Sequence, residues 1–223
     1  MKKDGFTLAE VLITLGVIGV VAAMTIPGLM TKYRKSVVEN KLKKFYSTIN
    51  QAVRLSIEEH EDIIFDTSSL EADENVDFAV TDKNWEKEWF KEYILKYMQG
   101  VTLQDTQQDG NQRGVKVSLN DGSGFTSFLY YVNANNIDLY LFYCIDAQDK
   151  SCEFNNYDGK NTFMFMYSPD KKAFFPSYVN SPASVETLKN STSYGCYKGH
   201  KQYCTKLIEM NGWKIPDDYP WIK

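Results

Sequence analysis

Four cysteines are the first residues whose spacing suggests chemistry. Cys144 and Cys152 have seven residues between them, and so do Cys196 and Cys204. Zinc sites usually close each ligand pair over two to four residues, and the chain has only two histidines, so a zinc centre is disfavoured. An even cysteine count in a domain outside the cytosol is typical of disulfides. Three pairings are possible, and the local pairs Cys144–Cys152 and Cys196–Cys204 are favoured.

An oxygen-rich cluster lies between two predicted strands. Its acidic residues are Asp146, Asp149, Glu153 and Asp158. Carboxylates can bind calcium, but this spacing differs from that of an EF-hand loop, and Cys152 interrupts it. Solvation of a loop is the simpler interpretation. We therefore predict no metal site and no cofactor.

The sequence lacks the motifs of common enzyme classes. There is no GxSxG nucleophile turn, no HExxH zinc motif and no glycine-rich phosphate loop. We therefore expect no catalytic residues and no enzymatic activity. The formal net charge is -4 and the 25 Lys and Arg residues are scattered along the chain, so no nucleic-acid partner is indicated.

Glu10 is a carboxylate inside a long apolar segment. From Phe6 to Met30 the other polar side chains are only a few threonines. About twenty apolar residues suffice for a membrane-spanning helix, and a carboxylate within one is energetically costly. A fixed cation would offset that cost, and cleavage after Gly5 would create one at the amine of Phe6. Pairing between neighbouring chains would then set the axial register of their helices, because an unpaired charge in an apolar bundle is penalised.

The segment Gly5-Phe6-Thr7-Leu8-Ala9-Glu10 resembles the processing and methylation signature of type IV pilins and type II secretion pseudopilins. The shared features are a short basic leader ending in glycine, a phenylalanine that becomes the mature N-terminus, and a glutamate at the fifth mature position. The resemblance implies cleavage between Gly5 and Phe6 by prepilin peptidase, and N-methylation of Phe6 by the same enzyme. It also implies that Glu10 neutralises a neighbour's N-terminus during assembly.

Two simpler interpretations of the first thirty residues stay open. A secretory signal peptide would need a shorter apolar core and a small-x-small cleavage site, for which Val21-Ala22-Ala23 is a weak match. A plain signal anchor would span the membrane without cleavage. Neither interpretation explains Glu10.

Charges at the two ends of the apolar segment bear on its orientation. Lys2 and Lys3 favour a cytoplasmic N-terminus, which places the remainder of the chain outside. Lys32, Arg34 and Lys35 on the far side weaken that preference. We predict a single-pass protein of the inner membrane with its head outside.

One long helix is predicted to follow a leader of residues 1–5. Residues 6–30 would form a transmembrane and filament-core helix, and residues 31–60 would continue it as an amphipathic helix. Pro27 has no N–H to donate and clashes with the preceding turn, so we expect a kink there.

Residues 61–223 are predicted to form a globular head. Its elements are a loop at 61–80, a helix at 84–98 capped by Asp82, a short helix at 202–210 and five strands at 115–119, 125–132, 137–145, 162–168 and 172–178. An Asn-Asp-Gly-Ser-Gly turn at 120–124 joins the first two strands as a hairpin. A long helix packed on such an antiparallel sheet belongs to the α+β class, and the resemblance implies the same pilin-like fold.

These features predict a structural subunit of a type IV pilus or a type II secretion-like pseudopilus. Its partners would be other copies of itself, prepilin peptidase, a membrane assembly platform with other pilins, and the lipid bilayer before assembly. After assembly it would be part of a periplasmic or cell-surface filament. The alternative is a minor pilin or membrane-tethered binding protein whose aromatic head recognises a ligand.

Overall fold

A computed structural model describes most of the chain. The described residues are 7–63, 85–109, 112–133, 136–153, 156–178, 180–182 and 184–222. The predicted leader, Asp82 and most of the predicted loop at 61–80 lie outside this set.

Helix α1 spans Leu8–His60, which is 53 residues or about 80 Å at 1.5 Å per residue. Its first turn is capped by Thr7, and the chain leaves the helix at Glu61, whose φ is 64°. In the C-terminal half, buried residues recur every three or four positions, as on one face of a helix. The buried apolar residues of that face are Val38, Leu42, Phe45, Ile49, Ala52 and Val53.

The head contains a six-stranded antiparallel sheet in which sequence neighbours are also spatial neighbours. The strands are β1 (Val101–Asp109), β2 (Gln112–Leu119), β3 (Gly124–Asn133), β4 (Asn136–Cys144), β5 (Thr162–Ser168) and β6 (Ala173–Pro176). The predicted hairpin turn joins β2 to β3, and Gly122 there has a φ of 77°, which glycine adopts without strain. The α+β prediction is confirmed.

Three elements differ from the predictions: strand β1, the helix predicted at 84–98 and a short helix at Val185–Asn190, which was not predicted. Strand β1 was not predicted, because after Leu103 its sequence is entirely polar and carries no alternating apolar pattern. Helix α2 spans Trp85–Tyr93 and therefore ends before the predicted residue 98. Ile94 has φ -126° and ψ -58°, and a 3-10 turn at Leu95–Tyr97 follows.

Helix α1 packs on the sheet through a cluster of aromatic rings. Phe45 stacks on Tyr143 of β4 with ring centroids 4.2 Å apart. The same ring lies 5.7 Å from Phe125 of β3 and 5.3 Å from Phe165 of β5. All four side chains are almost completely buried, so one residue of α1 contacts three strands and fixes the helix over the middle of the sheet.

The C-terminal segment is attached to α1 by buried charged side chains. The Lys35 ammonium donates to the backbone carbonyls of Pro216 at 2.8 Å and Asp217 at 2.9 Å. One turn later, Glu39 accepts from the backbone N–H of Ile215 at 2.9 Å and from Lys214 at 2.8 Å. The chain end is therefore anchored where α1 enters the head. Two short helices, α3 (Val185–Asn190) and α4 (Cys204–Met210), precede this segment.

Glu86 is a buried carboxyl group at the interface between α2 and the sheet. Its side chain is 4% exposed and accepts a 2.5 Å hydrogen bond from the Ser127 hydroxyl, which itself accepts from the Val115 N–H. Burial raises the pKa of Glu86 to about 7, although the Ser127 hydrogen bond opposes that shift. The folded state therefore binds the proton of the Glu86 carboxyl group more tightly than the unfolded state does. The contribution of this protonation to stability is complete below pH 4.5 and is lost as the pH rises through about 7.

We predict that Glu86→Gln removes this pH dependence. At pH 8 the variant should have a higher free energy of unfolding than the wild type, by up to roughly 3 kcal/mol, because no charge is buried. Denaturant unfolding of the full chain in detergent between pH 4.5 and 8 measures the difference. Glu88→Gln, on an exposed face of α2, is the matched control. It should leave the slope of the free energy of unfolding against pH unchanged. A Glu86→Gln protein with the wild-type slope would contradict the assignment.

Candidate functional site: the exposed half of α1

Residues 8–30, the apolar part of α1, have almost no contact with the other described residues of the protein. Their large apolar side chains are mostly more than half exposed, for example Leu8 at 78% and Met24 at 77%. The first buried residue of the helix is Lys35. A continuous apolar surface of this length needs to be covered by lipid or by other protein. Within the described residues, α1 is the helix that is long and apolar enough to cross a membrane.

The few polar side chains of this half bond to their own helix. The Thr14 hydroxyl donates to the Val11 carbonyl at 2.9 Å, and the Thr25 hydroxyl donates to the Val21 carbonyl at 3.0 Å. Each hydroxyl is thereby satisfied without water. The surface that α1 presents is therefore more apolar than its threonine content suggests.

Glu10 and Thr7 form a capping box at the start of α1. The Glu10 carboxylate accepts from the Thr7 N–H and from the Thr7 hydroxyl, each at 2.8 Å. In return the Glu10 N–H donates to the Thr7 hydroxyl at 3.3 Å. The pattern Ser/Thr-x-x-Glu is a recognisable helix-start signal, and it is visible in the sequence at 7–10.

The capping box supplies hydrogen bonds to Glu10 but leaves its charge in place. In the described part of the chain no cation lies within ion-pair distance of this carboxylate. The helix N-terminus favours a negative charge, so capping provides one reason for a glutamate at this position. Pairing with a neighbour's amine would be a second reason, and it stays a prediction.

The remaining N-terminal residues divide into two groups. Gly5 and Phe6, the predicted cleavage and methylation positions, lie outside the described residues. Pro27 lies within α1, which is helical on both sides of it; the kink there stays a prediction.

All four cysteines form disulfides between near neighbours in the sequence. Cys144 bonds to Cys152 and Cys196 bonds to Cys204, which is the pairing that the sequence favours. The first bond closes the loop that follows β4, and the second joins a 3-10 turn to the start of α4. With their thiols oxidised, these residues are not zinc ligands.

The acidic loop residues stabilise turns. Asp146 accepts from the backbone N–H of Gln148, and Asp149 accepts from the N–H and hydroxyl of Ser151. Asp158 accepts from three successive backbone N–H groups, those of Lys160, Asn161 and Thr162. Among the described residues no group of acidic, cysteine or histidine side chains is arranged to hold a metal ion.

A groove rich in basic residues, which sequence reasoning missed, lies beside α1. It encloses about 610 Å³. We call it the basic groove; its lining residues are Lys43, Tyr46, Ser47, Asn50, Arg54, Lys171, Lys172, Ala173 and Trp213. Among the described residues, the lining therefore has four cationic side chains and no acidic one, although Lys172 also forms a 2.9 Å ion pair with Asp62. Sequence alone could not group these cations, because the β5–β6 turn that supplies two of them lies over a hundred residues from α1.

Comparison with known proteins gives two family matches. A model described as "Family of unknown function (DUF6613)" matches residues 28–222. A model described as "Prokaryotic N-terminal methylation motif" matches residues 1–26, and this motif is the type IV pilin and pseudopilin signature. No curated protein and no solved structure matches the chain significantly.

Proposed function

We propose that this chain, which belongs to the DUF6613 family, is a structural subunit of a type IV pilus or a type II secretion-like pseudopilus. The single observation that carries the proposal is an uncovered apolar helix that begins with a prokaryotic methylation motif. The motif indicates a pilin-like structural subunit, and the apolar helix fits membrane anchoring followed by assembly into a surface filament.

The proposed life cycle has three steps. The precursor spans the inner membrane through residues 6–30 with its head outside, and prepilin peptidase cuts between Gly5 and Phe6. The same enzyme methylates the new amine of Phe6. An assembly platform then transfers the apolar helix from lipid into a bundle of identical helices, where the surrounding is again apolar.

Glu10 is proposed to direct the transfer. In the membrane its carboxylate would keep the hydrogen bonds from Thr7 that form the capping box. In the filament the Phe6 ammonium of a neighbouring copy would neutralise the charge, which hydrogen bonds alone do not. The four-residue offset between the two groups would correspond to about 6 Å along parallel helices.

Mass spectrometry tests the processing step. The full chain coexpressed with a prepilin peptidase should yield a mature protein that starts at Phe6 and carries one methyl group, added to its N-terminal amine. Coexpression with an inactive peptidase is the control and should leave the intact N-terminus. A functional filament protein that retains Met1 would contradict the proposal.

Substitutions at Glu10 and Thr7 separate charge pairing from helix capping. Glu10→Gln keeps a side chain that can complete the capping box but removes the charge. We predict that it inserts and is cleaved normally, while its filament yield falls at least tenfold, as for Glu10→Ala. Thr7→Val keeps the charge and weakens the cap, so it should assemble at close to the wild-type yield.

Filament yield is measured in the sheared fraction, and insertion and cleavage are measured in the membrane fraction of the same cells. Wild-type yield for Glu10→Gln, together with failure of Thr7→Val, would show that Glu10 acts only as a cap.

The basic groove favours a second candidate function, a minor pilin whose head binds an anionic ligand. The four cations share the groove with a Tyr46–Trp213 pair whose ring centroids lie 5.0 Å apart. An anionic polymer could contact the charges while its sugar rings pack on the aromatic faces.

Binding of heparin, a sulfated polysaccharide, to the full chain in detergent tests this candidate. Arg54→Gln combined with Lys171→Gln should weaken binding about tenfold at low salt, since two exposed charge contacts contribute roughly 1.4 kcal/mol together. Lys150→Gln with Lys198→Gln removes the same charge elsewhere and should have a smaller effect. Equal losses for the two pairs, or no binding by the wild type, would exclude a specific anion site in the groove.

A further inference from the structure

A second cavity lies where α1 enters the head. It encloses about 300 Å³, and we call it the neck pocket. Its lining residues are Tyr33, Arg34, Val37, Val38, Ile145, Asp149, Lys160, Asn161 and Ile222. Three parts of the chain therefore meet here: α1, the disulfide-closed connection between β4 and β5, and the C-terminal segment.

The length of the exposed apolar helix sets the depth of this pocket relative to a membrane. Residues 8–30 extend for about 34 Å at 1.5 Å per residue, which matches a hydrocarbon core of about 30 Å. Tyr33 and Arg34 follow by one helical turn, or about 5 Å. When the apolar half spans a bilayer, the neck pocket is therefore level with the lipid headgroups, and the 65% exposed Tyr33 ring lies where aromatic residues anchor membrane proteins.

The polar side of the pocket carries two cations and one carboxylate. Arg34 and Lys160 can both donate to a phosphate group, and a guanidinium can do so with two parallel bonds. Asp149 is already engaged: hydrogen bonds from Ser151, together with the nearby Lys160 ammonium, lower the pKa of its carboxyl group. The Asn161 amide is also used internally, since its nitrogen donates to the Ser151 hydroxyl at 2.8 Å.

The apolar side consists of Val37, Val38, Ile145 and Ile222. In the sequence it is separated from the exposed apolar half of α1 by residues 31–36, which are mostly polar. A ligand that fits both sides has a phosphate at one end and hydrocarbon at the other. A phospholipid has this chemistry. Because the pocket lies at the level of the lipid headgroups, phospholipids are present there at high local concentration.

Two of the basic residues that oppose the predicted orientation have contacts or a position in the folded head that the structure describes. Of Lys32, Arg34 and Lys35, the last is consumed in holding the backbone carbonyls of Pro216 and Asp217. Arg34 lines the neck pocket. Lys35 therefore has a local role in the folded head, and Arg34, which also takes part in an interaction within the protein, lies at the neck pocket.

We propose that the neck pocket binds the phosphate group of a phospholipid in the leaflet next to the head, through Arg34 and Lys160. The proposal rests on the proposed function, because it requires α1 to span a bilayer. Such a lipid would hold the head upright on the membrane before assembly, and it would have to leave or be carried along when the helix enters a filament.

Native mass spectrometry of the full chain in detergent tests the proposal. The protein is titrated with phosphatidylglycerol, and in parallel with diacylglycerol that has the same acyl chains but no phosphate. We expect one phosphatidylglycerol per chain to be retained at least fivefold better than diacylglycerol. Lys160→Gln and Arg34→Gln, tested separately, should each abolish most of that preference, whereas Lys44→Gln, outside the pocket, should retain it.

Several results would overturn the proposal. Equal retention of the two lipids, or an unchanged preference in both pocket variants, would show that no phosphate site exists. Displacement of the lipid by millimolar glycerol 3-phosphate would assign the pocket to a soluble phosphate ligand. Protection of the pocket in a lipid-free dimer would make it a contact between copies. A chain that stays membrane-bound without lipid preference contradicts this inference alone, whereas a chain that stays in the aqueous fraction without detergent contradicts the proposed function.

Discussion

The structure depends on one continuous helix whose C-terminal half is packed in the head and whose N-terminal half presents an exposed apolar surface. From Lys35 onward α1 is the central element of the head, and its Phe45 ring contacts three strands. From Leu8 to Met30 the same helix has an apolar surface that the described residues of the head leave exposed. Because the backbone hydrogen bonds of a helix are satisfied internally, this half can move between lipid and a protein bundle without exposing unpaired backbone groups. That property is what a subunit needs if it is stored in a membrane and used in a filament.

Basic side chains on α1 connect the helix to the loops of the head. Lys41 donates to the backbone carbonyls of Asp121 and Ile145, and Lys44 forms a 3.1 Å ion pair with Asp121. Together with Lys35 and its bonds to the C-terminal segment, these contacts attach three separate loops to one helix. Exposed ion pairs of this kind contribute little to stability individually, but bonds from lysine to backbone carbonyls fix the position of loops that form no strand or helix.

Much of the fold and the outline of the site could be predicted from sequence, since both rest on local patterns. The apolar run, the three-four periodicity beyond it and the Asn-Asp-Gly turn specify the long helix and the β2–β3 hairpin. Strand β1 was missed because its polar residues carry no alternating apolar signal, and the end of α2 at Tyr93 depends on tertiary packing. The capping box was visible as Thr7 followed by Glu10, whereas the basic groove and the neck pocket each combine residues that are far apart in the chain. In the sequence, Glu86 is indistinguishable from a charged residue on the surface of a helix. It is buried because α2 lies on β2 and β3.

The bond between Lys35 and the C-terminal segment has a mechanical consequence. Any load on the apolar half of α1 enters the head at this lysine and at Glu39, one turn later. There the force divides between the helix and the chain end, which is itself covalently continuous with α4 and the Cys196–Cys204 bond. In the proposed filament, tension along the helix axis would therefore load this junction before it reaches the packing of Phe45 on the sheet.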